Sequence, residues 1–425
     1  MKKFFRKIVL YFLKKLAKKR LKKFKGKVIG VTGSVGKTSA KEAIYTVLNT
    51  KFKVLKSKGN MNTEFGLPLT ILELESGFGS ATKWAFLLIR AYFRSMKRIY
   101  AEVIVVEMGV DKPGDMSELL SIVKPDIGVM GIVAPVHLDE GQFKSLDEIF
   151  EEKSKMITSL PDDGVAILAA DDDRTLGLRK GRPKKQTFTY GFGPEADFKA
   201  TSVEESVEGV DFNFNMEGRR VEAHASVLGK HHVLVILPAI ICGFSMGMDL
   251  EEMLEALKRF RLPPGRLNLI DGKKEGSIII DGSYNSSPKS CVEALKTLSE
   301  LKPKTGGKKI AVLGNMNELG VESERLHKSV GEHVKDSCDV LATIGKDASL
   351  FADEAEQKGL KKVFRYKNVQ ELIDNFAEKI DENDIVLVKG SQNNVRLERF
   401  VKEVMKFPEQ AKELLVRQGR NWDKF

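Results

Sequence analysis

Residues 28–39 read VIGVTGSVGKTS, and no other stretch limits the possible folds of this chain so tightly. The apolar run Val28-Ile29-Gly30-Val31 has the pattern of a buried strand, and Thr38-Ser39-Ala40-Lys41-Glu42-Ala43-Ile44 that of the first turns of a helix. A glycine-bearing turn ending in Gly36-Lys37-Thr38 joins them, the strand–loop–helix setting of a phosphate-binding loop. Over Gly33, Ser34, Val35 and Gly36 the backbone N–H groups are expected to curl around an oxyanion, helped by the partial positive charge of the helix start at Ser39. Lys37 would reach the terminal phosphates of a nucleoside triphosphate, and the Thr38 hydroxyl would ligate Mg²⁺. The strict pattern has glycine where Val31 stands, so an ordinary glycine turn is the competing reading.

A chain of 425 residues suggests two or three domains with a large core. Its net charge of +11 is unevenly spread: residues 1–27 hold 13 Lys and Arg and no acid, leaving 57 basic and 59 acidic residues elsewhere. A nearly neutral body argues against a general nucleic-acid binder. Cys242, Cys291 and Cys338 lack metal-like spacing and fit a reducing cytoplasm.

Residues 1–25 read as a basic amphipathic helix, with an apolar run too short to span a bilayer. One reading is an interfacial helix on an anionic membrane at the inner face; the plainer one is a helix packed on the body by one face. Trp84 to Tyr100 is a helix candidate read first as core packing and second as another membrane-facing patch. Between them, the polar loop holding Asn60, Asn62 and Thr63 offers hydrogen bonds to a polar substrate.

Ala101 to Glu107 is a continuous β-branched run of the kind found in buried parallel strands. An acid at the carboxyl end of such a strand sits in the ligand crevice of an α/β sheet, so Glu107 is a candidate Mg²⁺ ligand. His137 follows the next strand, Ile127 to Val133, and is a second candidate, although a lone histidine is more often structural. From about 185 to 228 the alternating pattern predicts a small antiparallel insertion. Leu262-Pro263-Pro264-Gly265-Arg266 reads as a linker, and strands alternate with amphipathic helices beyond it. The expected architecture is therefore α/β. It has the basic helix over 1–25, a central nucleotide-binding domain with a parallel sheet over 26–262, and a Rossmann-like α/β domain over 263–425.

Several motifs, in order, resemble those of the Mur ligases. They are Thr32 to Thr38, Asn60 to Pro68, Glu107-Met108-Gly109, Gly229-Lys230-His231, Asp281 to Pro288, Gly314 to Gly320 and Val388-Lys389-Gly390-Ser391. The C-terminal set is most similar to that of the members adding D-alanyl-D-alanine to a muramoyl tripeptide. The resemblance runs from about Gly26 to residue 405. It implies an amide-forming ligase of peptidoglycan synthesis, in which ATP converts a carboxylate to an acyl phosphate that an amine then attacks. It implies catalytic roles for Lys37, His137 and Lys153. Thr38 and Glu107 would hold one Mg²⁺; His137 would hold a second, with Lys153 as a carbamylated lysine. Arg266 would contact nucleotide phosphate as the C-terminal domain closes, with Asp281, Tyr284 and Asn285 lining the nucleotide. Asn60, Asn62, Thr63, Lys389 and Ser391 would contact substrate. The implied partners are small molecules, a muramoyl-peptide precursor and a dipeptide, with no nucleic acid and a monomeric protein.

Departures bear on the details. The usual double Asp is Asp281-Gly282, the asparagine expected near adenine is Val235, and Gly-Asp-Met has become Gly314-Asn315-Met316. The Lys-Gly-Glu of the family reads Lys153-Ser154-Lys155. About 27 residues precede the loop, too few for the uridine-nucleotide domain of muramoyl-peptide ligases. The expectation is that UDP is held differently or that the carboxylate substrate is another one. Two alternatives follow: a related ligase of folylpolyglutamate or cyanophycin type, or a membrane-bound nucleotide-binding scaffold with weak turnover.

Overall fold

The computed structural model describes residues 3–57, 64–75, 81–134, 142–317, 319–392, 395–419 and 422. The chain divides into two compact units, Met1–Ser202 with Phe212–His224 and His232–Phe260, and Val203–Asp211 with Ala225–His231 and Arg261–Phe425.

The first unit is built on β1 (Lys27–Thr32), β2 (Val54–Lys56), β3 (Val103–Glu107), β4 (Ile127–Met130), β5 (Val165–Ala169) and β6 (Thr187–Gly191). They continue into β7 (Phe198–Ser206), β8 (Gly209–Met216) and β9 (Arg219–Ala225), in the sheet order β2-β3-β1-β4-β5-β6-β7-β8-β9. β1 lies between β3 and β4 and is parallel to both, with Val31 opposite Glu107 and Thr32 opposite Met130. That register brings the carboxyl ends of three strands to one edge. β3 and β4 are buried at every position, as strands covered on both faces must be.

The helices of this unit are α1 (Lys3–Leu21), α2 (Lys37–Leu48), α3 (Gly66–Leu72), α4 (Ala81–Met96), α5 (Asp115–Ile122), α6 (Leu146–Thr158), α7 (Asp173–Gly177), α8 (Val233–Ser245) and α9 (Leu250–Lys258). Ser145 caps α6 by accepting from Glu148 N at 3.2 Å. This bond satisfies one orphan donor of the first turn and sets where α6 begins.

The stretch expected as an antiparallel insertion is antiparallel over β7, β8 and β9 but not where it joins the sheet. β6 pairs in parallel with β5, and β7 in parallel with β6; only the two-residue connections from β7 to β8 and from β8 to β9 make hairpins. Alternation marks a strand with one buried face but carries no information about the direction of its neighbour.

α1 packs on the body. Val9, Leu13 and Ala17 are fully buried against α3 and α4, and Arg20 is buried with them. Arg20 donates to the carbonyls of Ile71 at 2.7 Å, Arg98 at 3.2 Å and Lys97 at 3.3 Å, and to Glu73 Oε1 at 2.5 Å. Burying Val9 and Leu13 stabilises by roughly 2 kcal/mol each, a large part of an ordinary net stability. The first helix is thus an integral part of this unit. Among the described residues, no helix is long and apolar enough to cross a membrane.

The second unit carries β10 (Asn268–Asp271), β11 (Ile278–Gly282), β12 (Lys309–Gly314), β13 (Val340–Ile344), β14 (Val363–Tyr366) and β15 (Ile385–Lys389). Its sheet order is β10-β11-β15-β12-β13-β14, parallel except for the edge strand β10. Helices such as Pro288–Glu300 and Glu398–Val404 bury their apolar stripes on its two faces, giving two separate cores. Among the described residues, the tail beyond Pro408 holds only the short turns Pro408–Gln410 and Ala411–Leu414.

Candidate active site

The loop from Gly33 to Gly36 leaves β1 and enters α2 through Gly36, whose φ of +78° lies in the left-handed region. A β-carbon there would be strained and would also lie 2.9 Å from Val235 Cγ1 of α8, so glycine is required twice over. Lys37 Nζ curls over the loop, 3.0 Å from the Gly33 carbonyl oxygen and 3.3 Å from that of Ser34. Ser34 is fastened to the end of β4, donating to the Ala134 carbonyl at 3.0 Å and accepting from Ala134 N at 2.9 Å. Val35 is exposed at the tip, and Ser39 is buried in the first turn of α2.

Thr38 and Glu107 meet. The Thr38 hydroxyl donates to Glu107 Oε2 at 2.9 Å, and both residues are buried. A hydroxyl and a carboxylate are hard oxygen donors of the kind Mg²⁺ takes, and their contact beside a phosphate loop fits that ion. Lys153, on α6, turns its side chain inward and is only 1% exposed. Burial pushes its amine down to about 7, the charge of Lys37 pushes the same way, and Asp111, Glu107 and Glu152 oppose. Its neighbour Glu152 is tied to the backbone, accepting from Met116 N at 2.7 Å, and pairs with Lys155 at 2.6 Å. Thr38, Lys37, Glu107 and Lys153 are therefore brought into one electrostatic neighbourhood. His137, Asn60, Asn62 and Thr63 lie outside the described residues. Among the described residues, no group of three or more His, Cys, Asp and Glu is placed to hold a metal.

The second unit has its own cluster at the carboxyl ends of β11 and β15, where Gly282 is opposite Lys389. Asp281 is fully buried; one carboxyl oxygen accepts from Ser283 N at 3.0 Å and the other has no partner. Burial pushes this carboxyl up to about 6. Lys389 Nζ donates to the Asn285 carbonyl at 3.0 Å, and burial lowers its amine below the usual range. Ser391 donates to the Ser286 carbonyl at 3.0 Å and accepts from Asn317 N at 2.9 Å. Arg266 lies over the Tyr284 ring, 4.5 Å from its centroid, beside Gly265, whose φ of +73° and close approach to Tyr284 N exclude a β-carbon. His231 is pushed down to about 4 by burial and then by the charges of Lys389 and Lys289.

Three residues that sequence reasoning passed over belong to these clusters. Lys41, one turn after Thr38, is fully buried and donates to the Ser57 carbonyl at 2.7 Å. Asp111 acts on Lys153 from four positions beyond Glu107, and an acid at that offset from a strand end was a readable signal. Arg417, in the tail, donates to the carbonyls of Ser283 at 2.6 Å and Tyr284 at 3.2 Å and to the buried Glu398 at 3.0 Å. Nothing local in the sequence announces that contact, which spans more than 130 positions.

The chain matches the Mur ligase middle domain over residues 31–243 and the Mur ligase, glutamate ligase domain over residues 265–392. The chain belongs to the Mur ligase family. Among relatives of this Mur ligase, the UDP-N-acetylmuramoyl-tripeptide--D-alanyl-D-alanine ligase of Bacillus subtilis (strain 168) is 32% identical over 398 residues, covering 93% of this chain and 79% of the relative. The enzyme of the same name from Escherichia coli (strain K12) is 28% identical, covering 86% and 74%. The solved structure of MurF ligase from Thermotoga maritima in complex with ADP superposes with a TM-score of 0.74 at 29% identity, covering 95% of this chain and 84% of that one. The α/β fold expected from the sequence, with a parallel-rich sheet and a second α/β domain, is the fold of these ligases.

Proposed function

We propose that this Mur ligase uses ATP to join D-alanyl-D-alanine to the carboxylate of a muramoyl-tripeptide precursor in peptidoglycan synthesis. The observation that carries the reading is the 2.9 Å contact between Thr38 and Glu107 at the mouth of the phosphate loop, with the buried Lys153 amine beside it. The substrate carboxylate oxygen attacks the γ-phosphorus of ATP, ADP leaves, and an acyl phosphate forms. The dipeptide amine then attacks the acyl carbon, the C–O bond breaks, and phosphate departs carrying one carboxylate oxygen. Chemistry of this kind depends on positioning and charge neutralisation more than on a protein nucleophile.

In this reading Lys37 and the backbone N–H groups of Gly33, Ser34, Val35, Gly36 and Ser39 hold the phosphates. Thr38 and Glu107 would hold one Mg²⁺, and His137 with Lys153 a second. Bound there, Mg²⁺ neutralises phosphate charge. Lys153 suits its part because an amine pushed to about 7 is substantially neutral at physiological pH. A neutral amine adds CO₂, forming an N–C bond and releasing a proton, and the resulting carbamate is an anion able to bind metal. From the second unit, Arg266, Asp281, Tyr284 and Asn285 are assigned to the nucleotide; the unpartnered Asp281 oxygen suits a ligand hydroxyl. Lys389, Ser391, Asn60, Asn62 and Thr63 are assigned to substrate. The domain division at 26–262 and 263–425, a monomeric state and a position at the cytoplasmic face of the membrane complete the reading.

Phosphate release across a panel of acceptors tests it. Release from ATP should require the muramoyl tripeptide and the dipeptide together. Turnover with a folate or an aspartate-chain acceptor, and none with the tripeptide, would move the protein to another acceptor class. An absence of ATP turnover with every acceptor would leave a nucleotide-binding scaffold.

A further inference from the structure

Fifteen large apolar side chains are exposed among the described residues, and nine of them lie on α1, on α4 or just after it. The other six are scattered singly along the chain, as isolated surface apolars ordinarily are. Such concentration in so small a part of the surface marks an interaction site. On α4, Phe86, Ile89, Tyr92, Phe93 and Met96 form an outward ridge, while Trp84, Leu87, Ala91 and Ser95 face the core. On α1, Ile8, Tyr11 and Phe12 are exposed in the first half and Lys15, Lys18 and Lys19 in the second, with Lys22 and Lys23 exposed just after it. The two helices are fastened side by side: Lys23 donates to the Met96 carbonyl at 2.9 Å, Lys19 lies 5.6 Å from the centroid of the Tyr92 ring, and buried Arg20 bonds the chain at the end of α4.

Charge selects the partner. Residues 1–27 and 81–98 together hold 18 Lys and Arg and no acid, whereas the rest of the chain has 52 basic and 59 acidic residues. The basic positions of α4, at 83, 90 and 94, run along one flank of its apolar ridge, and α1 brings its lysines to the Tyr92 side. A second copy of the same face would meet this one with cations against cations. An apolar helix ridge between two rows of cations matches a surface with an anionic outer layer and an apolar interior.

We propose that α1 and α4 form one docking face for an anionic lipid bilayer. The α4 ridge enters the boundary of the acyl chains, and the Lys and Arg of both helices contact the headgroups. The buried side of α1 holds the helix on the body, so its membrane contact comes from the opposite side and is shared with α4. The proposal deepens the membrane position given in the ligase reading, and none of its residues is assigned there to nucleotide, metal or substrate.

Co-sedimentation of the full chain with vesicles tests it, using phosphatidylcholine alone and phosphatidylcholine mixed with phosphatidylglycerol. The protein should bind the mixed vesicles, bind the neutral ones far more weakly, and be released by salt. Each cation near an anionic surface strengthens binding about fivefold, so Lys15→Glu/Lys18→Glu/Lys22→Glu, which removes three cations and adds three anions, should weaken it at least about a hundredfold. Ile89→Asp/Phe93→Asp should weaken it at least about tenfold, with the thermal midpoint and ATP turnover retained. If the aspartate pair does not fold, Phe93→Ser and the lysine reversal carry the test. Equal binding to both vesicle types, no binding to either, or unchanged binding by the variants overturns the proposal. So does a dimer in light scattering that Ile89→Asp/Phe93→Asp disperses, or salt-sensitive binding to duplex DNA with none to vesicles.

Discussion

Lys153 in the first unit and Lys389 in the second are both buried lysines whose amines burial pushes below the usual range. They differ in what meets the nitrogen. Lys389 donates to the Asn285 main-chain carbonyl, and Ser391 and Arg417 likewise reach main-chain carbonyls of the same loop. Lys153 has no hydrogen bond among the described residues, and its amine feels the charges of Lys37, Asp111, Glu107 and Glu152. The second unit thus uses its buried polar groups to shape a loop, whereas the first leaves an amine chemically available beside the Thr38–Glu107 pair. A buried charge without a partner is costly, and such groups mark sites of chemistry more often than of scaffolding.

Removing the phosphate-loop cation is the largest perturbation available. Lys37→Ala should lower acceptor-dependent ATP turnover by about a thousandfold or more, with the thermal midpoint little changed. Lys153→Met should cost nearly as much. Labelled bicarbonate should give one carbamate signal in carbon NMR that this variant loses and Lys389→Met keeps; the reverse pattern would undo the contrast between the two lysines. Only the neutral amine takes up CO₂, so at limiting CO₂ activity should rise with pH and level off above about 7. The linked stability effect has a definite sign. The unfolded chain keeps this amine protonated up to about 10.5 while the folded protein releases the proton near 7, so stability rises with pH between those values. Lys153→Met should accordingly unfold at a higher temperature than the parent at pH 7 in CO₂-free buffer.

A smaller effect is expected at Glu107. Replacing it with Gln keeps the contact with Thr38 but removes the charge, and should raise the Mg²⁺ requirement about ten- to a hundredfold, read from turnover against Mg²⁺ concentration. The smallest belongs to Arg417, which supports a loop and faces Glu398, itself still paired with Arg396. Arg417→Ala should destabilise by about 1–3 kcal/mol in denaturant titration and lower turnover less than about tenfold. A larger loss of turnover than of stability there would place chemistry in the second-unit loop and blur the contrast.

The phosphate loop, Glu107 and the alternation of strands with helices were legible because each depends on local pattern: an apolar run, a glycine turn, an acid at a strand end. Lys153 was not legible from the residues alone, since Glu151-Glu152-Lys153-Ser154-Lys155 reads as a solvated helix face and only tertiary packing buries it. The first helix shows the same limit. Ile8, Phe12, Leu16 and Leu21 recur near helical spacing and suggest an apolar face for a membrane or a protein body, but the stripe that the body covers is Val9, Leu13 and Ala17, with Ile8 and Phe12 exposed. Arg417 and Lys41 act through main-chain carbonyls distant in sequence, which leave no periodicity to read.

The central claim is that a carboxylate is activated as an acyl phosphate at the Lys37–Thr38–Glu107 site. The most direct measurement supplies muramoyl tripeptide labelled with oxygen-18 in its terminal carboxylate and weighs the phosphate released as amide forms. One labelled oxygen per phosphate is the predicted result. Unlabelled phosphate alongside amide product would contradict the account.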